Sequence, residues 1–186
     1  MSAKINPYLS ILGYHGPNIL LVLILLTLAF QSQHYITPYI YLVVIGWQFI
    51  SHLINVVIKN TIQAPRPDSK HTADSKHTAD SKHTADSNDT DFEKLKPTLR
   101  NYMSIHVNYG MPSGHAQAVF SELVFIALYF QKPILTFFAV AQTAITLWQR
   151  YVSHRHSLLQ LAVGGTIGAG VGLIFYRIFE KIVPRR

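Results

Sequence analysis

The stretch ITPYIYLVVIGWQFISHLINVVIKNTIQAPRP, residues 36–67, decides how the rest of the chain is read. From Ile36 to Ile58 it is almost wholly apolar, and a helix needs about 20 such residues to cross the hydrocarbon core of a bilayer. Tyr39 and Tyr41 stand near its start, where rings that carry a hydroxyl suit the membrane interface, and Trp47 lies further in. The apolar run closes on Lys59, and Arg66 follows before Pro67. The fold class this predicts is all-α: a polytopic transmembrane helical bundle with charged groups gathered where spans end.

Working outward, NILLVLILLTLAF forms the heart of a first span over about Pro17 to Phe30. An interfacial helix is expected before residue 15. A third span is expected from about Ala116 to Phe130, and Gln131-Lys132-Pro133 makes a tight turn into a fourth that ends near Trp148. The fifth, from about Leu158 to Phe179, contains Gly164 and Gly168 at the small-xxx-small spacing that lets helices approach closely. The expectation is a single domain over residues 1–186 with about five spans.

Composition agrees with lipid. Hydrophobic residues make up 49% and charged residues 13%, against roughly 25% charged in soluble domains. The formal charge of +7 does not read as nucleic-acid binding, since the aromatics sit in apolar runs and not between clustered basic residues; cations flanking membrane spans give the same sum. Cysteine is absent, which removes disulfides, thiolate metal sites and a cysteine nucleophile. The start shows no pattern of a cleaved signal peptide.

One segment is plainly not membrane. SKHTAD occurs three times, at residues 69–74, 75–80 and 81–86, and offers nothing to bury, so residues 68–94 are expected to form a disordered loop. Its His71, His77 and His83 could be taken for a metal-binding tract, but a six-residue spacing in a loose loop supports that weakly. Seven of the nine acidic residues lie between Asp68 and Glu93, so the chain cannot easily supply the converging carboxylates of a two-metal hydrolase.

Three polar clusters remain, each at the end of an expected span: KNTIQAPRP with Lys59 and Arg66, YGMPSGHAQ with Ser113, Gly114 and His115, and RYVSHRHSLLQ with Arg150 and His156. The chain leaves the second span, enters the third and leaves the fourth on one membrane face, so all three clusters can meet. Two arginines and a lysine there suit a tetrahedral dianion, and the Gly114 amide at a helix start adds a donor. Phosphate is the natural guest. Phosphoryl transfer also needs an in-line nucleophile and an acid for the leaving oxygen, and His115 and His156 are the candidates for those two roles.

Lys59-x6-Arg66-Pro67, Pro112-Ser113-Gly114-His115 and Arg150-x5-His156 together resemble the three-part signature of the type 2 phosphatidic acid phosphatase superfamily, which also includes vanadium haloperoxidases. The resemblance implies that His156 attacks phosphorus to give a phosphohistidine. It implies that His115 protonates the leaving lipid oxygen, that Lys59, Arg66, Ser113, Gly114 and Arg150 hold the other oxygens, and that no metal or other cofactor is needed. Haloperoxidase chemistry is disfavoured, because those relatives are soluble.

The chain departs from the family pattern twice, with Gln149 where a serine usually stands and Gln160 where an aspartate usually ends the third motif. An aspartate would fix the imidazole tautomer and stabilise the imidazolium, and its loss costs about 10⁴ in turnover in the serine-protease case. Gln160, one helical turn from His156, can accept a hydrogen bond from the ring but brings no charge. YGMPSGHAQ together with HSLLQ resembles the dolichyl-diphosphate phosphatase branch, which moves the expected substrate from phosphatidate toward polyprenyl diphosphates. The alternative is a catalytically silent relative that binds lipid phosphates.

Other polar residues have plainer readings. His154 lacks the spacing from Arg150, and Asn55 and His52 suit hydrogen bonding between helices. Glu122, two turns beyond His115, is a buried acid that could support the site. Arg155 reads as an interfacial charge, and His106 and Tyr109 as part of a helix entry. The localisation expected is integral and multi-pass, in an endomembrane or the plasma membrane. The motif face carries 11 of the 16 lysines and arginines, which points to the cytoplasm, whereas the polyprenyl resemblance implies a lumenal site.

Overall fold

The computed structural model describes residues 6–31, 38–64, 67 and 109–183, and among these it forms helices and no strand. The SKHTAD repeats, Arg66 and His106 lie outside the described residues. The first helix, α1 (Pro7–Tyr14), is capped by Asn6, whose side chain accepts from the Tyr8 amide at 3.0 Å, with Pro7 in the first turn where its missing N–H costs nothing. A helix thus stands where one was expected before residue 15. After His15 the chain turns by 60° into α2 (Gly16–Gln31).

Helix α3 (Pro38–Ile62) has 25 residues, about 37 Å of rise. Helix α4 (Gly114–Phe125) is capped by Ser113 and runs into one π-helical turn, Ile126–Phe130, which stops where Gln131 takes a left-handed φ of 52°. Pro133 then opens α5 (Pro133–Val152), so the expected tight turn is present. Helix α6 (Leu158–Ile182) starts on a capping box: Ser157 Oγ accepts from the Gln160 amide, and Gln160 Oε1 accepts from the Ser157 amide.

Against five expected spans, two helices, α3 and α6, are long and apolar enough to cross a membrane, and the bent α1–α2 pair makes a third if it is one span. The other two expected spans are helical but fall short, each for a physical reason. Residues 114–130 form a shorter apolar helix. Helix α5 turns a polar row inward, burying Gln142, Thr143, Thr146, Gln149 and Arg150, and so is less apolar than its neighbours. Among the described residues, length and apolarity therefore support two or three crossings, and the expected five are not confirmed.

Helix α4 is the axis of the bundle and touches α2, α3, α5 and α6. Its closest partner is α6. Gly164, Gly168 and Gly172 face the backbone carbonyls of Ser113, Gln117 and Ser121, so a four-residue repeat on one helix meets a four-residue repeat on the other. A Cβ at any of these glycines would strike backbone, which is why small residues are needed there. Towards the other end of the pair rings replace glycines: Trp47 stacks on Phe175 at 4.1 Å, and Phe125 meets Tyr129 and Phe179 at 5.2 Å each.

Candidate active site

The glycine end of the α4–α6 pair is where the motifs meet. A cavity of about 800 Å³ is lined by Lys59, Gly114, His115, Arg150 and His156, so the expected convergence of the three clusters is present for the described residues. Each reaches the cavity for a local reason. On α3, Ser51, Asn55 and Lys59 recur every four residues and form one buried polar stripe. That stripe grips α4, since Asn55 Nδ2 donates to Gln117 Oε1 at 2.8 Å and Gln117 Nε2 donates to the Ser51 carbonyl at 2.7 Å. Asn55 thus has the inter-helix role expected of it, and it holds the PSGH turn against the end of α3 that carries Lys59.

The x5 spacing of the third motif follows from a tight loop. The amides of Arg155 and His156 both point back to the Arg150 carbonyl, at 3.2 and 3.3 Å, and His154 takes a left-handed φ of 53° to let the chain reverse. The reversal returns His156, 5% exposed, to the side of Arg150, 7% exposed. His154 is left exposed and does not line the cavity, in keeping with its exclusion as nucleophile. Arg150 contacts His115 Nε2 through its guanidinium.

One expected phosphate ligand, Ser113, and one expected catalytic residue, Gln160, sit differently from the expectation. Ser113 is fully buried and does not line the cavity; its Oγ accepts from the Ala116 amide at 3.4 Å as the cap of α4, and its amide donates to the Gln160 carbonyl at 3.1 Å. Gln160 was expected to accept from the His156 ring. Instead the Gly110 carbonyl accepts from His156 Nδ1 at 2.9 Å, and the Gln160 side-chain oxygen is engaged in the capping box. Gln160 still lies close by, because a Cβ on Gly110 would collide with its amide. The Gly110 amide in turn donates to the Ala64 carbonyl at 2.8 Å, which ties the loop before α4 to the end of α3.

Several cavity residues escape the motif reading. Tyr14 and Asn18 come from α1 and α2, Gln48 and His52 from α3, and Gln149 and Arg155 from the third motif's flanks. Arg155, expected to be only an interfacial charge, is exposed and borders the cavity. Deeper in the bundle the buried carboxyl of Glu122 accepts from Gln48, which lines the cavity, so the acid reaches the site through one intermediary. Asn18 and Gln48 are polar residues within apolar spans, and that signal alone could have drawn attention to them, as it did to His52.

Lys59, Arg150 and Arg155 bring three cationic side chains, and His52, His115 and His156 three imidazoles, to one cavity beside a helix N-terminus, which suits a phosphoryl group better than any neutral ligand. The PAP2 superfamily model matches residues 38–184. No curated protein and no solved structure matches the chain.

Proposed function

Since the chain belongs to the PAP2 superfamily, a family of phosphatase-type hydrolases, we propose that it is a membrane lipid phosphatase acting on a phosphate or diphosphate monoester. The observation that carries this reading is the single cavity shared by Lys59, Gly114, His115, Arg150 and His156. The apolar helices around the cavity support a lipid as the substrate.

The chemistry we infer runs in two steps. A carbonyl can only accept, so the bond to Gly110 makes His156 Nδ1 the protonated nitrogen and leaves the lone pair on Nε2. Nε2 attacks the terminal phosphorus, the bond from that phosphorus to the oxygen of the leaving lipid (for a diphosphate, of the leaving lipid phosphate) breaks, and His115, by then protonated at Nε2, gives that oxygen a proton. Water then attacks the phosphohistidine, His115 takes the water's proton, and orthophosphate leaves with His156 restored. Lys59 and Arg150 offset the charge on the remaining phosphoryl oxygens. For Arg150 this means exchanging its contact with His115 for the substrate; a guanidinium only donates, so His115 Nε2 holds a lone pair in that contact, and once released it takes up the proton of the acid form of the phosphate monoester before passing it to the leaving oxygen. No step calls for a metal.

Polyprenyl diphosphates are the substrates we favour over phosphatidate, on the sequence of the second and third motifs. The test is phosphate release from a panel of both lipid classes by purified protein in chelator, with orthovanadate as inhibitor. Release that vanadate blocks and His156→Ala abolishes is the expected result; turnover by His156→Ala at the native rate would sink the mechanism.

A further inference from the structure

Resting on the phosphatase reading, we propose that Tyr14, on a helix outside the family match, is a positioning residue of the phosphate site that holds the Arg150 guanidinium by its face. Helix α1 has eight residues, too few to be stable alone, so its place is set by docking. It docks on α5. Gly13 and Gly16 are buried, and a Cβ on the first would meet Gln149 and the Ile145 carbonyl, while one on the second would meet Thr146. Gln142 Nε2 donates to the Leu12 carbonyl at 2.9 Å, satisfying one of the acceptors that the end of α1 leaves over.

Docking at Gly13 and Gly16 leaves Tyr14 one α5 turn beyond Thr146, which is the position of Arg150. The Arg150 guanidinium carbon lies 5.1 Å from the Tyr14 ring centroid, inside the range of a cation–π contact. The same ring lies 5.6 Å from the His115 ring, and the Tyr14 backbone is within hydrogen-bonding reach of that imidazole. Tyr14 also lines the cavity and keeps 53% of its surface exposed, so it forms a wall of the site and is not filling the core.

The geometry matters because of how guanidinium binds. An aromatic ring engages the flat face of the group and takes none of its in-plane N–H donors. Arg150 over the ring is therefore placed without spending a hydrogen-bond donor on its support, and its donors remain for a tetrahedral anion in the cavity that it lines. A carboxylate in place of the ring would compete for those donors. The contact with Tyr14 also keeps Arg150 at the cavity when it leaves His115 for the substrate.

The test measures orthovanadate binding to the full chain in nanodiscs, alongside KM and kcat for a lipid phosphate, in wild type, Tyr14→Phe, Tyr14→Leu and Tyr14→Ala. Phe keeps the ring and should bind within about 2-fold of wild type, whereas Leu and Ala should bind roughly 5- to 30-fold more weakly, with the loss in KM exceeding that in kcat. Leu preserves apolar bulk, so an unchanged melting temperature in that variant separates the site from the docking of α1. Vanadate binding by Tyr14→Leu equal to that of Tyr14→Phe would overturn the proposal. If wild type binds vanadate but hydrolyses no lipid, the phosphatase reading fails while the variants still decide Tyr14. If wild type binds no vanadate, both fall.

Discussion

Near the start of α6 its backbone lies against that of α4, with glycines facing carbonyls and the Ser113 amide donating to the Gln160 carbonyl. Near the end of α6 the same two helices, together with α3, meet through Trp47, Phe125, Tyr129, Phe175 and Phe179. The first contact has direction: each donor fixes where its acceptor must be, so small displacements are felt in the cavity beside it. The second depends on filled volume and tolerates small rotations. Substitutions at the cavity should therefore be read in chemistry, and substitutions among the rings in stability.

The sharpest separation should come from Arg150→Ala. It removes the buried cation beside both histidines, and we expect kcat/KM for a lipid phosphate to fall by about 10³-fold or more. The melting temperature should stay within a few degrees of wild type, because Arg150 sits at the last turn of α5 and carries none of the α4–α6 contact. A collapse in melting temperature with the activity of the remaining folded protein intact would erase the distinction between the two ends.

Phe125→Ala is the reciprocal test. In soluble cores such a truncation costs about 3–5 kcal/mol, but lipid is as apolar as the ring, so the transfer part falls away and the lost contacts remain. About 2 kcal/mol is expected, read as a melting temperature roughly 4–8 °C lower. KM for the lipid phosphate should not move. An altered KM would mean that the ring cluster is coupled to the cavity through α4.

Much of this division is legible in the sequence. The apolar runs and the three motifs are legible in hydropathy and spacing, and the described motif residues do share one cavity, although the parity argument for it counted crossings that α4 and α5 are too short or too polar to supply; the Gly164/Gly168 spacing announces the α4–α6 contact, and Gly172 extends it. The contribution of α1 is not legible, because the docking of Gly13 and Gly16 on α5 is a long-range contact that no local pattern encodes. The Gly110 carbonyl is hidden for a related reason: every residue has one, and only the fold chooses which faces His156. Gln160 is the instructive case. Ser157-Leu158-Leu159-Gln160 has the spacing of a capping box, a local signal that competes with the catalytic reading and describes the side chain's bonds in the structure.

Gly110→Ala tests the carbonyl directly, at a smaller expected effect. The added methyl would meet the Gln160 amide, with Nε2 at 2.5 Å and Oε1 at 2.8 Å, and either that amide or the Gly110 backbone must shift. If the backbone yields, the acceptor on His156 moves and kcat should fall about 10-fold. The double variant Gly110→Ala with Gln160→Ala makes room for the methyl and should recover part of that loss despite giving up the capping box. Equal rates in the single and double variants would show that the collision is not what matters.

The smallest effect, and the one that sharpens the comparison most, is expected of Gln160→Asp. If the family's aspartate were simply missing here, restoring a carboxylate should raise turnover steeply, since such a residue can be worth about 10⁴ elsewhere. If the Gly110 carbonyl already fixes the His156 tautomer, the substitution adds only charge. The shorter side chain must also keep the Ser157 amide bond that Gln160 Oε1 now makes at 3.1 Å, so part of any gain is offset at the start of α6. We expect a change in kcat of no more than about 3-fold in either direction. A rise of two orders of magnitude would show that the carbonyl is an inadequate substitute, and that the hydrogen-bonded end of the bundle is tuned for position at the expense of rate.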